Sequence, residues 1–250
     1  QRVAKIISSL GYREVVIKCD QEPAIKELQR DIREEMWKEL KQAAENLKES
    51  RGDDRVIIES GSSIMLENSP VGESQSNGMI ERTIQSVQEQ IRVIKNTIEE
   101  EASMKIDSTS HVWPWLIEYA AFTLYAFKID DDDGLTAMER TRGKTTHQTV
   151  VAFGERVMYK PSKSVRIEKA EPRWEDGLWL GIIPETHEHL IGTPRGVIKC
   201  RAITAMEETK KFNKETVAGM RGLPWQPIPG RKTNRIPTQI RAVSYTHLRA

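Results

Sequence analysis

The sequence predicts an α/β front, a helical middle and a small all-β part, and three features carry that prediction. A β-branched run, EVVIKCD, is followed by a long stripe of apolar residues, the pattern of a strand feeding a helix. Ile80, Ile84, Val87, Ile91, Ile94 and Ile98 then repeat at helical spacing. From Val150 the texture changes to FGERVMYKP, GLWLGIIPE, HEHLIGTPRG and VIKCRAIT, short strands broken by Gly and Pro, as in a small barrel or sheet.

Residues 2–10 read as a helix with Val3, Ile6, Ile7 and Leu10 on one face, and Gly11 suits its C-cap. EVVIKCD reads as a buried strand that delivers Asp20 at its C-terminal end. Pro23 fits the first turn of the next helix, whose stripe is Ile25, Leu28, Ile32, Met36 and Leu40. RVIIES reads as a second strand, and GSSIMLENSPVGESQSNG as a long polar connection. Asn77-Gly78 makes a tight turn into the long Ile-rich helix. HVWPWLIEYAAFTLYAFKI reads as a further helix, and DDDDGLTAMERTRGK as a loop and a short helical turn. The residues after Glu207 are Pro-, Lys- and Arg-rich and read as a flexible basic tail.

Composition narrows the function classes. No apolar run approaches the roughly 18 residues of a membrane span, so no membrane partner is expected. Cys19 and Cys200 have no zinc spacing and fit reduced, intracellular thiols. Residues 1–150 carry 20 Lys+Arg against 27 Asp+Glu, whereas residues 151–250 carry 18 against 10. An acidic front and a basic back point to polyanion binding at the C-terminal end, or to two solvated surfaces of opposite sign.

Two carboxylates stand out. Asp20 follows an apolar strand, where open α/β sheets collect ligand groups, though Asp is also a favoured helix N-cap. Glu81 lies in the first turn of a helix, where a carboxylate also simply complements the dipole. Glu73 could rival Glu81, but it precedes the turn in a loop less able to hold fixed geometry. Gln85, Gln88, Arg92 and Lys95 share the helix face of Glu81, a face that could meet phosphate or be ordinarily solvated. Trp113, Trp115, Tyr119 and Phe122 read as core rather than as a base-stacking platform. His187 and His189 lack a ligand set, and Asp130 to Asp133 read as a solvated acidic loop.

In order, the strand ending at Asp20, the helix, the second strand, the polar loop and SQSNGMIER resemble the integrase core of copia-type retrotransposons and retroviruses. The likeness continues in HVWPWLIEYAAFTLYAFKI, GLTAMERTRGK, FGERVMYK, PRWEDGLWLGI and GTPRGVIKCRAI, covering roughly residues 1–205. It implies an RNase H-like fold over 1–103, a helical extension over 104–148, a small SH3-like β-domain over 149–206 and a basic flexible tail over 207–250. It also implies DNA integration by strand transfer, with Asp20 and Glu81 as two of three metal carboxylates holding two Mg2+ (or Mn2+) ions. Asn77, Gln85, Gln88, Arg92 and Lys95 would contact DNA. By analogy such an enzyme self-associates and works in the nucleus or in cytoplasmic virus-like particles.

The sequence departs from that pattern in three ways. Residues 1–19 contain no Asp, so the strand with the first carboxylate is missing and the chain reads as N-terminally truncated. Sixty residues separate Asp20 from Glu81, more than the family's usual spacing. No His/Cys zinc module precedes the core. The chain as given is therefore expected to be catalytically incompetent. A decayed or domesticated DNA-binding fragment and an RNase H-like nuclease are the rival readings. The last residues, VSYTHLRA, resemble a translated adapter peptide and are left out of the fold reading.

Overall fold

The computed structural model describes residues 2–12, 14–19, 21–51, 63–69, 78–143, 151–161 and 173–240. It is a mixed α/β structure that divides into two compact units, residues 1–83 and 84–250.

The first unit is built on a parallel crossover. Helix α1 (Arg2–Ser9) precedes strand β1 (Glu14–Cys19), α2 (Pro23–Arg51) and strand β2 (Ser63–Asn68). Strands β1 and β2 pair in parallel from Glu14↔Ser63 to Cys19↔Asn68. Parallel strands need a long crossover, and α2 supplies it. Ala4, Ile32 and Met36 are buried together, with Ile7, Ile17 and Ile64 packed against them. Helix α1 therefore turns Ala4 and Ile7 inward, while Val3 and Ile6, predicted to face the core, are exposed. The predicted α2 stripe is likewise narrower than read, because Leu28 is exposed. Gly11 closes α1 at φ +72°, a conformation that costs glycine nothing.

The partner of β1 is a correction to the sequence reading. Strand β2 lies inside the stretch read as a polar connection. RVIIES, the predicted second strand, falls outside the described residues. The register explains the choice of segment: Ile64 sits opposite Val15, and Leu66 opposite Ile17. Flanking Ser and Asn residues hid this short apolar alternation.

Helix α3 (Gly78–Glu101) carries the division between the units. In the second unit it is followed by α4 (Val112–Phe127), α5 (Ala137–Arg142), β3 (Arg156–Tyr159), β4 (Glu175–Ile182), β5 (His189–Thr193), β6 (Gly196–Cys200), β7 (Ile203–Ala205) and α6 (Lys214–Gly219). The strands form one antiparallel sheet in the order β6-β5-β4-β3-β7. Leu178, Leu180, Leu190 and Val197 project to one core with Ile98, Val112, Trp115 and Leu116. Trp179, Ile191 and Ile198 project to a second core with Val157 and Tyr159. Alternate residues of β4, β5 and β6 are thus buried on opposite faces. That explains why GLWLGI reads as a continuous apolar run rather than an alternating one. Tyr119 stacks on Phe153 at 5.1 Å and meets Trp179 edge-on at 5.5 Å.

The acidic loop and the C-terminal stretch both gain structure. Arg140 binds Asp133 through two nitrogens, at 2.6 and 2.7 Å, and Asp130 at 2.8 Å. This clasp holds the Asp133 carboxyl at about 2, against an ordinary 3.8. Residues 207–240, predicted to form a flexible tail, instead pack onto the sheet. Val217, Met220, Pro227 and Ile228 are buried. Val197 N–H donates to Pro227 O at 2.8 Å, and Lys199 N–H to Pro237 O at 2.9 Å. The segment therefore satisfies the donors along β6 that would otherwise leave an open sheet edge. A few apolar anchors among Pro, Lys and Arg were enough to order it, and composition alone conceals them.

Candidate metal and nucleic-acid site

The parallel register brings the C-terminal ends of β1 and β2 together. Their last pair, Cys19 and Asn68, is tied by a thiol contact to Asn68 Oδ1 at 3.7 Å. Ser69 N–H donates to Cys19 O at 3.0 Å, and Gln21 Nε2 donates to Ser69 O at 2.9 Å. Gln29 fixes the same region from α2. Its buried amide donates to Ile17 O and, at 3.1 Å, to Glu67 O, one acceptor on each strand. A buried amide that satisfies two sheet carbonyls locks the helix to the strand ends. Lys18 and Glu67, directly opposite in the register, add an ion pair at 3.2 Å. The carbonyl edge on either side of position 20 is thus braced. Asp20 itself and Asn77 lie outside the described residues, so the Asp20–Glu81 separation does too.

Glu81 occupies the first turn of α3 and is exposed. Gln85, Gln88 and Arg92 follow on its face, also exposed. Lys95 differs. It is half-buried, and its Nζ lies 2.7 Å from Glu99 Oε1. Glu99 is the one buried acid of α3, and it also takes Lys105 Nζ at 2.9 Å and the Ile106 N–H at 2.7 Å. Lys95 is thus paired with a carboxylate of its own helix. The i,i+4 spacing of Lys95 and Glu99 was the available signal, and the sequence reading passed over it.

Lys95, the Ile106 N–H and Lys105 together hold the Glu99 carboxyl down to about 2, from an ordinary 4.5, against the opposing effect of burial. A carboxyl depressed by folding stabilises the fold above its unfolded value, and the benefit disappears as pH falls through the folded value. Glu99→Gln should therefore unfold at lower temperature than the parent at neutral pH. The gap should narrow from about pH 4.5 and close near pH 2. Thermal unfolding followed across that range measures it. A gap that stays constant with pH would show that the charge is not what Glu99 contributes.

The remaining candidates resolve structurally. Trp115 is buried and its indole N–H donates to Gly222 O at 3.0 Å. His189 Nδ1 accepts from the Trp179 indole N–H at 3.2 Å, so that nitrogen is unprotonated, and burial holds the imidazole below its ordinary value. The neighbouring Cys200 thiol is pushed up to about 12 by burial. Among the described residues, no three His, Cys, Asp or Glu side chains gather as a metal-binding group. No described helix is long and apolar enough to cross a membrane. No protein-family model matches the chain, and no curated protein matches it.

Proposed function

We propose that the chain is part of an integrase-type polynucleotidyl transferase, with an RNase H-like first unit and an SH3-like sheet in the second. The observation that carries this reading is the in-register parallel pair β1–β2, whose ends meet immediately before Asp20. Ligand groups of open α/β sheets collect at that carboxyl edge. Helix α3, with Glu81 in its exposed first turn, provides a second carboxylate on a rigid element.

The donor chemistry fits a hard divalent cation, since both groups offer carboxylate oxygens. Asp20 and Glu81 would hold Mg2+ or Mn2+, and the metal pair when bound would stabilise the attacking and leaving oxygens of a phosphodiester exchange. Gln85, Gln88 and Arg92 would orient the DNA strand along α3, and Arg92 would neutralise a phosphate. DNA is the partner, in the nucleus or in cytoplasmic particles, and a multimer is the working form. The chain should therefore bind a divalent cation through Asp20 and Glu81. A second reading, a DNA-binding fragment without catalysis, is favoured by the 18 Lys+Arg against 10 Asp+Glu in residues 151–250.

Mn2+ titration monitored by water-proton relaxation tests the metal reading. Asp20→Asn and Glu81→Gln should each reduce bound Mn2+ to background, with far-UV circular dichroism unchanged. Equal binding by parent and both variants would remove the metal role and leave the DNA-binding reading.

A further inference from the structure

We propose that residues 221–240 form a preorganised docking strip for single-stranded nucleic acid, in which the Trp225 indole stacks on a base and the cations of the same segment take the phosphates. Trp225 is 63% exposed, although Trp is largely buried on average. It sits at the tip of a tight turn closed by two reciprocal backbone bonds between Leu223 and Gln226, each 2.9 Å. Residues on either side of the indole are anchored: Pro224 and Pro227 are buried, and Gly222 O accepts from Trp115. The exposed ring is therefore held out from a fixed base, which lowers the ordering cost of any partner that stacks on it.

The segment that bears the ring is cationic. Residues 221–240 hold Arg221, Arg231, Lys232 and Arg235 and no Asp or Glu, and all four cations are exposed. The Arg221 guanidinium is steadied by the carbonyls of Ala218 and Met220, both at 2.9 Å. Gln226 Nε2 donates to Arg231 O at 3.3 Å, which draws the Arg231–Lys232 pair back toward the turn. An exposed aromatic ring in a segment that carries four exposed cations and no carboxylate of its own matches the chemistry of strands whose bases are unstacked. A duplex keeps its base faces covered and would use only the cations. An acidic peptide would likewise use the cations and gain little from the indole. The strip goes beyond the metal reading and does not depend on it.

The test is fluorescence anisotropy of labelled oligothymidylate with the full chain, in EDTA so that no metal site contributes. The parent should bind with a log-linear salt dependence and quenching of Trp fluorescence. Trp225→Ala should weaken binding roughly 5- to 100-fold with little change in salt slope, and Trp225→Phe should retain most of the affinity. Arg231→Ala with Lys232→Ala should reduce the slope by about 1.4, two phosphate contacts on a single strand. The proposal is overturned if the parent does not bind or if Trp225→Ala binds like the parent. Tighter binding of a duplex than of the single strand, or equal competition by polyglutamate, would overturn it as well.

Discussion

Trp115→Ala should destabilise the 84–250 unit by about 3–5 kcal/mol, the range for deleting a large buried aromatic. Trp115 is 2% exposed and belongs to the core that joins α4 to β4, β5 and β6. The substitution leaves a cavity in that core and strands the Gly222 carbonyl, which loses its indole donor. At roughly 2–4 °C per kcal/mol for a unit of this size, the thermal midpoint should fall about 6–20 °C. Trp115→Phe keeps part of the aromatic volume and removes the donor, so its loss should be smaller than that of Trp115→Ala. The same variants should open residues 221–240 to trypsin, because Gly222 is where α4 holds that segment. A midpoint within about 2 °C of the parent for Trp115→Ala would mean that the core does not depend on this contact.

Hydrophobic period made most helices and strands legible. Helix α3 begins at Gly78, the residue read as the second half of a turn, and ends beyond Ile98, as its Ile repeat predicts. Helix α5 begins at the capping box formed by Thr136 and Glu139, a signal written in four consecutive residues. What could not be read depends on distant partners. Strand β2 is defined by its register against β1, forty-nine residues away, and its own six residues say little. The order in residues 207–240 rests on a few apolar anchors and on proline carbonyls that accept from β6, and a carbonyl leaves no mark in a sequence. Gln29, which bridges both parallel strands, looks like any other polar position of a helix.

The candidate site was legible in a similarly uneven way. Glu81, Gln85, Gln88 and Arg92 are exposed on one face of α3, as helical spacing requires. Lys95 shares the angular position but is half-buried and paired with the buried Glu99. Spacing assigns a residue to a face. Only the neighbours of that face decide whether its charge is available. The same distinction separates the arginines of the second unit. Arg156 is committed to Asp176 at 2.9 Å, whereas the cations of 221–240 have no carboxylate in their own segment.

Gly222→Ala should be nearly as damaging as the loss of Trp115, for a reason that lies in the backbone. Gly222 has φ +98°, where an L side chain is strained at a cost of about 1–3 kcal/mol. A Cβ there would also run into the Pro227 carbonyl oxygen and lie 3.3 Å from Val197 Cγ2. The obstacle is main chain that already accepts from Val197 N–H, so it cannot swing aside as a flexible side chain could. Overpacking adds about 1–3 kcal/mol, and the total of about 2–6 kcal/mol should lower the midpoint by roughly 4–24 °C. Gly230→Ala is the control. It shares a positive φ, +76°, but nothing lies within 4 Å of its added Cβ, so it carries only the backbone cost. The difference between the two variants measures the contact with Pro227, and hence how firmly the segment bearing Trp225 is seated on β6. Equal losses in both would place the whole effect in backbone strain and leave that seating without energetic weight.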